Sequence, residues 1–329
     1  MSDTERKKVM YIKPIHPSGM DKLREKYDVI VTEDEEKETI LANIEGVHAI
    51  ISRLSIIDKE IIDKGDKLQV IAKHGAGTNN IDVKYATEKG IPVVTTGNVN
   101  SITVAEHVML VIGALAKRIT YFDREQKNGN WNSRNTEGSV DLYGKKLGLI
   151  GFGNLGKLVA GMAKNGFNMD VMIYARPHHK ESILAAGYTY IDDIDTICRE
   201  SDFVSLHVAY TEETKNLIDK KRLELMKPSA FLVNFARGGM VNEQDLADAL
   251  KNGVIAGAAV DVYECEPAAP PIDHPFLGLD NIILSPHVAY ATEDAKKNMS
   301  LQVAEGIDDV LCGRVPKFAA NKQELFGEK

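Results

Sequence analysis

Between Lys146 and Arg176 the chain reads KLGLIGFGNLGKLVAGMAKNGFNMDVMIYAR, and this stretch leaves little freedom in the choice of fold. Leu147, Leu149 and Ile150 make a short apolar run that stops at Gly151. The turn Gly151, Phe152, Gly153, Asn154, Leu155, Gly156 then opens a helix expected over Leu155–Lys164, and an apolar strand follows at Val171–Tyr174. G-x-G-x-x-G is a weak signal alone, but here it sits between a strand and a helix inside one βαβ unit. In that setting the first glycine permits a tight turn and the second lets backbone approach a pyrophosphate. The third lets helix and strand pack closely, while the helix N-terminus presents free N–H groups and a positive dipole end. The stretch therefore predicts a dinucleotide site on a parallel α/β sheet.

The end of the second strand bears on which dinucleotide. A bare ribose usually meets an acidic residue roughly 20 positions beyond the glycines. This chain has Tyr174, Ala175, Arg176, Pro177, His178, His179 and Lys180 there. No carboxylate stands where it would repel a 2′-phosphate, and Arg176 can pair with one, helped by His179 or Lys180. The expectation is NADP in preference to NAD, with NAD still possible. The alternative is that Arg176 is a solvated loop arginine and selectivity is weak.

Around this unit the 329 residues suffice for two domains, each with its own core. A formal net charge of −8 with no basic block argues against nucleic acid or an anionic membrane as partner. The three cysteines, Cys198, Cys265 and Cys312, show no C-x-x-C spacing, so no metal site or disulfide framework is expected. A reducing cytoplasm fits. The polar start, MSDTERKK, has no apolar signal segment, and the run Val108–Ala116 is too short to span a bilayer.

From Val9 to Thr96, strands expected at Val9–Ile12, Val29–Val31, Ala49–Ile51, Val70–Ala72 and Val93–Thr95 alternate with helices at Gly19–Lys26, Lys37–Ile44, Asp58–Lys64 and Val83–Lys89. A long helix, Ile102–Arg118, follows with Ser101 as its N-cap, and it has the length to cross from one domain to the other. Tyr121–Gly144 has no clear periodicity, and reads as an arm against a second subunit or as a surface loop. After the βαβ unit strands are expected at Tyr188–Ile191, Phe203–Val208, Phe231–Asn234, Ile255–Val260 and Ile282–Leu284. Helices are expected at Ile194–Glu200, Lys220–Met226 and Glu243–Lys251, the last capped by Asn242. The fold class is thus α/β, with a doubly wound dinucleotide domain over 101–290. A smaller α/β substrate domain takes 1–100 and 291–329, the tail opening with a helical run to Leu311.

Polar residues at strand ends on the carboxyl edge are where the chemistry is sought. Arg237 in NFARGG can hold a carboxylate with its planar fork. His287 in LSPHVAY can carry a proton near neutral pH, and a carboxylate such as Glu266 in DVYECEP would orient its ring and favour its charged form. Together they form a kit for reducing a carbonyl beside a carboxylate, hydride coming from a nicotinamide. Singly, each has a plain reading as a turn residue or a surface charge. In the first domain the loop Lys73, His74, Gly75, Ala76, Gly77, Thr78, Asn79, Asn80 is either an anion-binding turn or a structural one. Arg53 there meets either a substrate anion or a surface acid.

Several motifs in order resemble the D-isomer-specific 2-hydroxyacid dehydrogenase family over essentially the whole chain. They are Gly75–Gly77 with Asn80, Ile81 and Asp82, then Asn100 and Ser101 with Val104, Ala105 and Glu106, and the GFGNLG turn. LHVAYTEETKNLI from Leu206, FLVNFARGG from Phe231, AAVDVYECEP from Ala258 and SPHVA from Ser285 complete the set. The resemblance implies a Rossmann domain beside a flavodoxin-like substrate domain, and a homodimer. It implies that Arg237, Glu266 and His287 are catalytic, with Glu266 and His287 the acid–base pair. Asn154 and Leu155 would meet the pyrophosphate, Phe235 and Ala236 the nicotinamide side, and Asp261 the carboxamide. Val208, Thr214, His287 and Ala289 join the implied cofactor contacts, and the Gly75, Ala76, Gly77 loop, with Arg53 and Arg237, the substrate contacts. The implied reaction interconverts a small 2-keto acid, such as glyoxylate or hydroxypyruvate, with its D-2-hydroxy acid. A phosphoglycerate-type dehydrogenase using Arg53 is the alternative, and a dinucleotide-sensing corepressor-like protein a more distant one. Two departures are Ala175, where NAD-using members carry an acid, and Ala209, where a proline is common. Glu266 speaks against the formate dehydrogenase branch, which pairs its histidine with glutamine. With the sequence ending at Lys329, no regulatory domain is expected.

Overall fold

The computed structural model describes residues 6–327, so the first five residues of the polar start lie outside the described residues. The chain forms two compact units, one from residues up to Asn100 with those from Ala291 onward, the other Ser101–Tyr290. The first alternates β1 (Lys8–Tyr11), α1 (Pro17–Arg24), β2 (Asp28–Val31), α2 (Lys37–Asn43), β3 (Ala49–Ser52), α3 (Lys59–Lys64), β4 (Val70–Lys73), α4 (Val83–Glu88) and β5 (Val93–Val94). The second holds α5 (Ser101–Ala116), α6 (Ile119–Lys127), β6 (Lys146–Ile150), α7 (Asn154–Phe167), β7 (Asp170–Tyr174), α8 (Lys180–Ala185), β8 (Thr189–Ile191), α9 (Ile194–Glu200) and β9 (Phe203–Leu206). It continues through α10 (Lys220–Leu225), β10 (Phe231–Asn234), α11 (Glu243–Lys251), β11 (Gly257–Val260) and β12 (Ile282–Leu284). The chain then returns to the first unit with α12 (Glu293–Leu311) and α13 (Lys322–Phe326).

Both sheets pair in parallel throughout. The five-stranded sheet runs β2-β1-β3-β4-β5, the flavodoxin order. The seven-stranded sheet runs β12-β11-β10-β9-β6-β7-β8, the Rossmann order with one more strand, and its direction of winding reverses between β6 and β9. Parallel strands covered on both faces have to be apolar on both faces. In β1, Val9 and Tyr11 face one core layer with Val303, Ala304 and Ile307 of α12, while Met10 faces the other with Ile40, Ile44 and Ile61. Each such fully buried aliphatic side chain contributes about 1.5–3 kcal/mol relative to exposure.

Most strands lie within a residue or two of expectation, and the helices Ile194–Glu200 and Glu243–Lys251 coincide with it, Asn242 capping the latter through Asp245 N–H at 3.0 Å. Three readings need correction. Ser101 is the first residue of α5 and not its cap, and α5 lies wholly within the second unit, packed on α7, β10 and β11, so it does not cross between domains. Tyr121–Gly144 begins inside α6 and contains a 3-10 turn at Trp131–Asn135. No residue of α6 is buried. Finally, α8 was not anticipated, because only Ile183 of its six residues turns inward. No helix among the described residues is long and apolar enough to cross a membrane.

Candidate active site

The glycine turn leaves β6 at the point where the winding reverses, where doubly wound sheets open a ligand crevice. Gly151 has φ 115°, and a side chain there would meet the His207 carbonyl oxygen at 2.4 Å. At Gly156 a Cβ would sit 2.5 Å from the Gly151 carbonyl oxygen, so β6 and α7 touch backbone to backbone. Gly153 differs, because a Cβ there would meet nothing within 4 Å. The first and third glycines are demanded by the fold, whereas the second keeps open space directly before the free amides of Asn154 and Leu155. A pyrophosphate fits that cradle. Val208 lines it beside Gly151, and Ala175 is buried at the end of β7. The Thr214 hydroxyl is spent on its own turn, donating to the Ala209 carbonyl at 2.9 Å.

Beyond Ala175, Arg176 is exposed and begins a short 3-10 turn, Pro177–His179. The His178 and His179 rings lie 4.1 Å apart, His179 meets Phe152 edge-on, and Lys157 Nζ lies 5.5 Å from the centre of the Phe152 ring. Burial, followed by the charges of His178, Lys157 and Arg176, pushes the His179 imidazole below its usual range. Positive charge thus gathers here without an acidic counterpart among those groups.

The proposed chemical residues sit on three loops at the carboxyl ends of β10, β11 and β12. Glu266 Oε2 and His287 Nδ1 are 2.6 Å apart, and the Tyr263 amide donates to Glu266 Oε1 at 2.8 Å. Burial alone would raise the Glu266 carboxyl. The His287 and Tyr263 hydrogen bonds, with the charges of His287 and Arg237, outweigh it and hold Glu266 below the ordinary carboxylate range. An ionised carboxylate only accepts, so His287 carries its proton on Nδ1 and turns Nε2 outward. Arg237, lowered in pKa by burial against the opposing pull of Glu266, donates to the Ala236 carbonyl at 2.7 Å. No other hydrogen bond from its guanidinium is formed among the described residues, which leaves most of the fork available to an anion.

Sequence reading had assigned Asp261 to a carboxamide. In the structure Asp261 is 1% exposed and organises the His287 loop. Its Oδ1 accepts from the Ser285 hydroxyl and the Val288 amide at 2.5 and 2.9 Å, and its Oδ2 from the Ala289 amide at 3.0 Å. Its carbonyl takes the His287 amide at 2.8 Å, so the left-handed His287 backbone, φ 52°, is held from four directions. Asn234, which sequence reading passed over, closes the turn before Arg237 by accepting from the Ala236 amide and donating to the Arg237 carbonyl. Phe235 is buried against His107 of α5, ring centroids 5.3 Å apart.

In the first unit Arg53 and the Gly75–Gly77 loop follow β3 and β4, at the carboxyl edge of that sheet. Lys73 donates to the Arg53 carbonyl and, at 2.6 Å, to Asn80 Oδ1, tying the two segments together. The Gly75 amide donates to the Lys73 carbonyl at 3.0 Å. Of the three loop amides, those of Ala76 and Gly77 are left without a partner among the described residues. His74 is buried, bonds Ser300 at 3.2 Å, and is pushed down to about 3 by burial and by Arg53 and Lys73, so it stays neutral.

Comparison with known proteins bears on this geometry. Residues 108–289 match the family model for D-isomer specific 2-hydroxyacid dehydrogenase, NAD binding domain. The chain is 35% identical over 328 residues to a glyoxylate reductase of Pyrococcus furiosus, covering 97% of this chain and 96% of that one. It is 38% identical over 323 residues to a D-3-phosphoglycerate dehydrogenase of Methanocaldococcus jannaschii, covering 98% of this chain but only 61% of that longer protein. Among solved structures it superposes on an acyclic imino acid reductase in complex with NADPH and D-Arg, with TM-score 0.85, 28% identity, and 95% and 99% of the two chains covered. With a glycine turn at the switch point, a hydrogen-bonded Glu–His pair and a relative of nearly full length, the chain belongs to the D-isomer-specific 2-hydroxyacid dehydrogenase family of nicotinamide-dependent oxidoreductases.

Proposed function

We propose that the protein reduces a small 2-keto acid to its D-2-hydroxy acid with NADPH. The observation that carries the reading is the 2.6 Å Glu266–His287 pair beside a half-buried Arg237 whose fork is mostly unused. Arg237 takes the substrate carboxylate, which places the neighbouring carbonyl oxygen at His287 Nε2. Bound nicotinamide supplies hydride. His287 gives its proton to the oxygen as negative charge develops there, and Glu266 keeps the ring oriented throughout. Within the first unit, the Ala76 and Gly77 amides make the loop after β4 a candidate anion-binding turn.

Arg176, His178, His179 and Lys157 support NADPH over NADH, as does the NADPH held by the structurally similar imino acid reductase. Glyoxylate is the first substrate to try, given the P. furiosus relative. The M. jannaschii relative makes 3-phosphoglycerate oxidation the second. A homodimer is supported by Leu110, Trp131 and Tyr143, which are 72%, 63% and 75% exposed on the second unit. A cytoplasmic setting is supported by three unpaired cysteines.

The test follows oxidation of NADPH and NADH in parallel against glyoxylate, hydroxypyruvate, pyruvate and a bulky 2-keto acid. Fast oxidation of NADPH with a small acid is expected, and His287→Gln should lower kcat by roughly 10²–10⁴-fold, the usual worth of a general acid. Preference for NADH would refute the cofactor assignment, and normal turnover by His287→Gln would remove the proton donor.

A further inference from the structure

Behind the acid–base pair stands a second Glu–His pair that the reaction as described does not use. Glu243, first residue of α11, and His274 lie 3.0 Å apart, with side chains 15% and 5% exposed. The Phe276 amide donates to His274 Nδ1 at 3.4 Å, so His274 carries its proton on Nε2 and donates to Glu243 Oε2. The other oxygen, Oε1, accepts the Glu264 amide at 2.8 Å. One carboxylate therefore grips two points of the loop between β11 and β12.

Both grips lead to the acid–base pair. Glu264 lies in the turn whose preceding amide, that of Tyr263, fixes Glu266 Oε1. The His274 ring stands perpendicular to Tyr263, centroids 5.7 Å and planes 89° apart, and the Tyr263 hydroxyl donates to the Ser285 carbonyl at 3.1 Å, two residues before His287. Glu243 itself ends the loop that carries Arg237, and that loop lies so close to the same turn that a Cβ on Gly238 would be 2.0 Å from the Tyr263 carbonyl oxygen. Glu243 thus joins the loop bearing Arg237 to the loop bearing Glu266, and Tyr263 joins that second loop to the one bearing His287.

We propose that Glu243 and His274 are positioning residues that hold the Glu266–His287 pair in register with Arg237; the inference rests on the dehydrogenase reading above. Glutamine at 243 cannot accept from both the His274 imidazole and the Glu264 amide, since one of its two ends is a donor. A donor facing a donor moves the turn, and misplacement by about 1 Å in such a site costs up to roughly a hundredfold in rate.

The test compares Glu243→Gln, His274→Leu and His274→Gln with the intact protein. Glu243→Gln and His274→Leu should lower kcat about tenfold or more while the KM for reduced cofactor stays within about twofold, because the glycine cradle is untouched. The falling limb of their rate–pH profiles should move to lower pH as the carboxylate is lost from its place beside the ring. His274→Gln, whose amide can replace the Nε2–H donor, should restore most of kcat and the original profile; recovery of both by His274→Leu would assign the site to packing alone. If His274→Leu does not fold, Glu243→Gln, which changes one atom, decides. Unchanged kcat and pH profile in Glu243→Gln overturn the proposal. A readout without turnover is the downfield proton resonance of the His287–Glu266 hydrogen bond, identified by its loss in His287→Gln. It should persist in His274→Gln and shift or broaden in Glu243→Gln, and its persistence in Glu243→Gln would also overturn the proposal. Failure of the intact protein to turn over any 2-keto acid with that resonance behaving as described would instead count against the dehydrogenase reading.

Discussion

His179 shows how one residue can report the identity of the cofactor. In the free protein burial and the charges of His178, Lys157 and Arg176 keep its proton off below the usual range near 6.5. A 2′-phosphate placed among those groups would favour the protonated ring, so its pKa would be higher in the complex than in the free protein, and binding would take up a proton. Affinity for NADPH should therefore rise as pH falls through the value that the ring takes in the complex, while affinity for NADH stays nearly flat. Fluorescence titration of the two cofactors at a series of pH values checks it. Arg176→Ala should weaken NADPH binding by roughly tenfold and leave NADH almost unaffected, the loss of one charge-assisted hydrogen bond. Arg237, Glu266 and His287 could be picked out singly as polar residues at strand ends, but only the resemblance joined them, and the 2.6 Å Glu266–His287 contact needs the fold. Glu243 and His274 were not legible, because an acid at a helix start reads as dipole compensation, and the 31 positions between them close only in three dimensions. The loop-holding part of Asp261 was not legible, since the three side-chain hydrogen bonds it accepts follow from the path of residues 285–289.

At the level of elements, the turn between β6 and α7 separates what folding needs from what binding needs. Gly153→Ala meets no atom within 4 Å and has ordinary negative φ, so its thermal midpoint should stay close to that of the parent, whereas its cofactor affinity should fall at least tenfold as a methyl group enters the phosphate cradle. Gly156→Ala pushes against backbone 2.5 Å away and should lose stability by about 1–3 kcal/mol together with binding. Thermal scans and cofactor titration of both variants test the distinction, and equal loss of stability in the two would refute it. The strands of both sheets were readable from sequence because central parallel strands are apolar on both faces, as in AIIS at β3 and FLVN at β10. The surface helix α8 was not, since six residues with one buried position carry no stripe, and the nine residues of α6 bury none. Where α5 ends, Arg118 takes a left-handed conformation, φ 51°, stacks on Tyr121 and bonds the Glu137 carbonyl at 2.6 Å, a local bend that propensity alone does not announce.

For the molecule as a whole, the first unit depends on a segment from the far end of the sequence. Asp308 of α12 accepts from Lys26, the Tyr27 hydroxyl and Arg314 at 2.7–3.0 Å, clasping the tail to the end of α1 and to the residues before β2. Burial would raise its carboxyl, but these donors hold it down at about 2. A carboxyl depressed in the folded state stabilises above its unfolded value near 3.8, and the contribution is lost as pH falls through about 4 to 2. Asp308→Asn should therefore cost about 1–2 kcal/mol near neutral pH, a figure reduced for the solvent around Lys26 and Arg314, and the gap from the parent should narrow below about pH 4. Urea unfolding at several pH values measures it, and a gap independent of pH would exclude the charge as its source. The same clasp has a consequence for synthesis. A ribosome releases Val9, Tyr11, Ala49, Ile51, Val70 and Ala72 long before Val303, Ala304 and Ile307 exist to cover them. The contiguous unit from Ser101 to Tyr290 can close during translation, while the first hundred residues wait with one sheet face bare, so a chaperone acting on the nascent chain has its work at the beginning of the sequence.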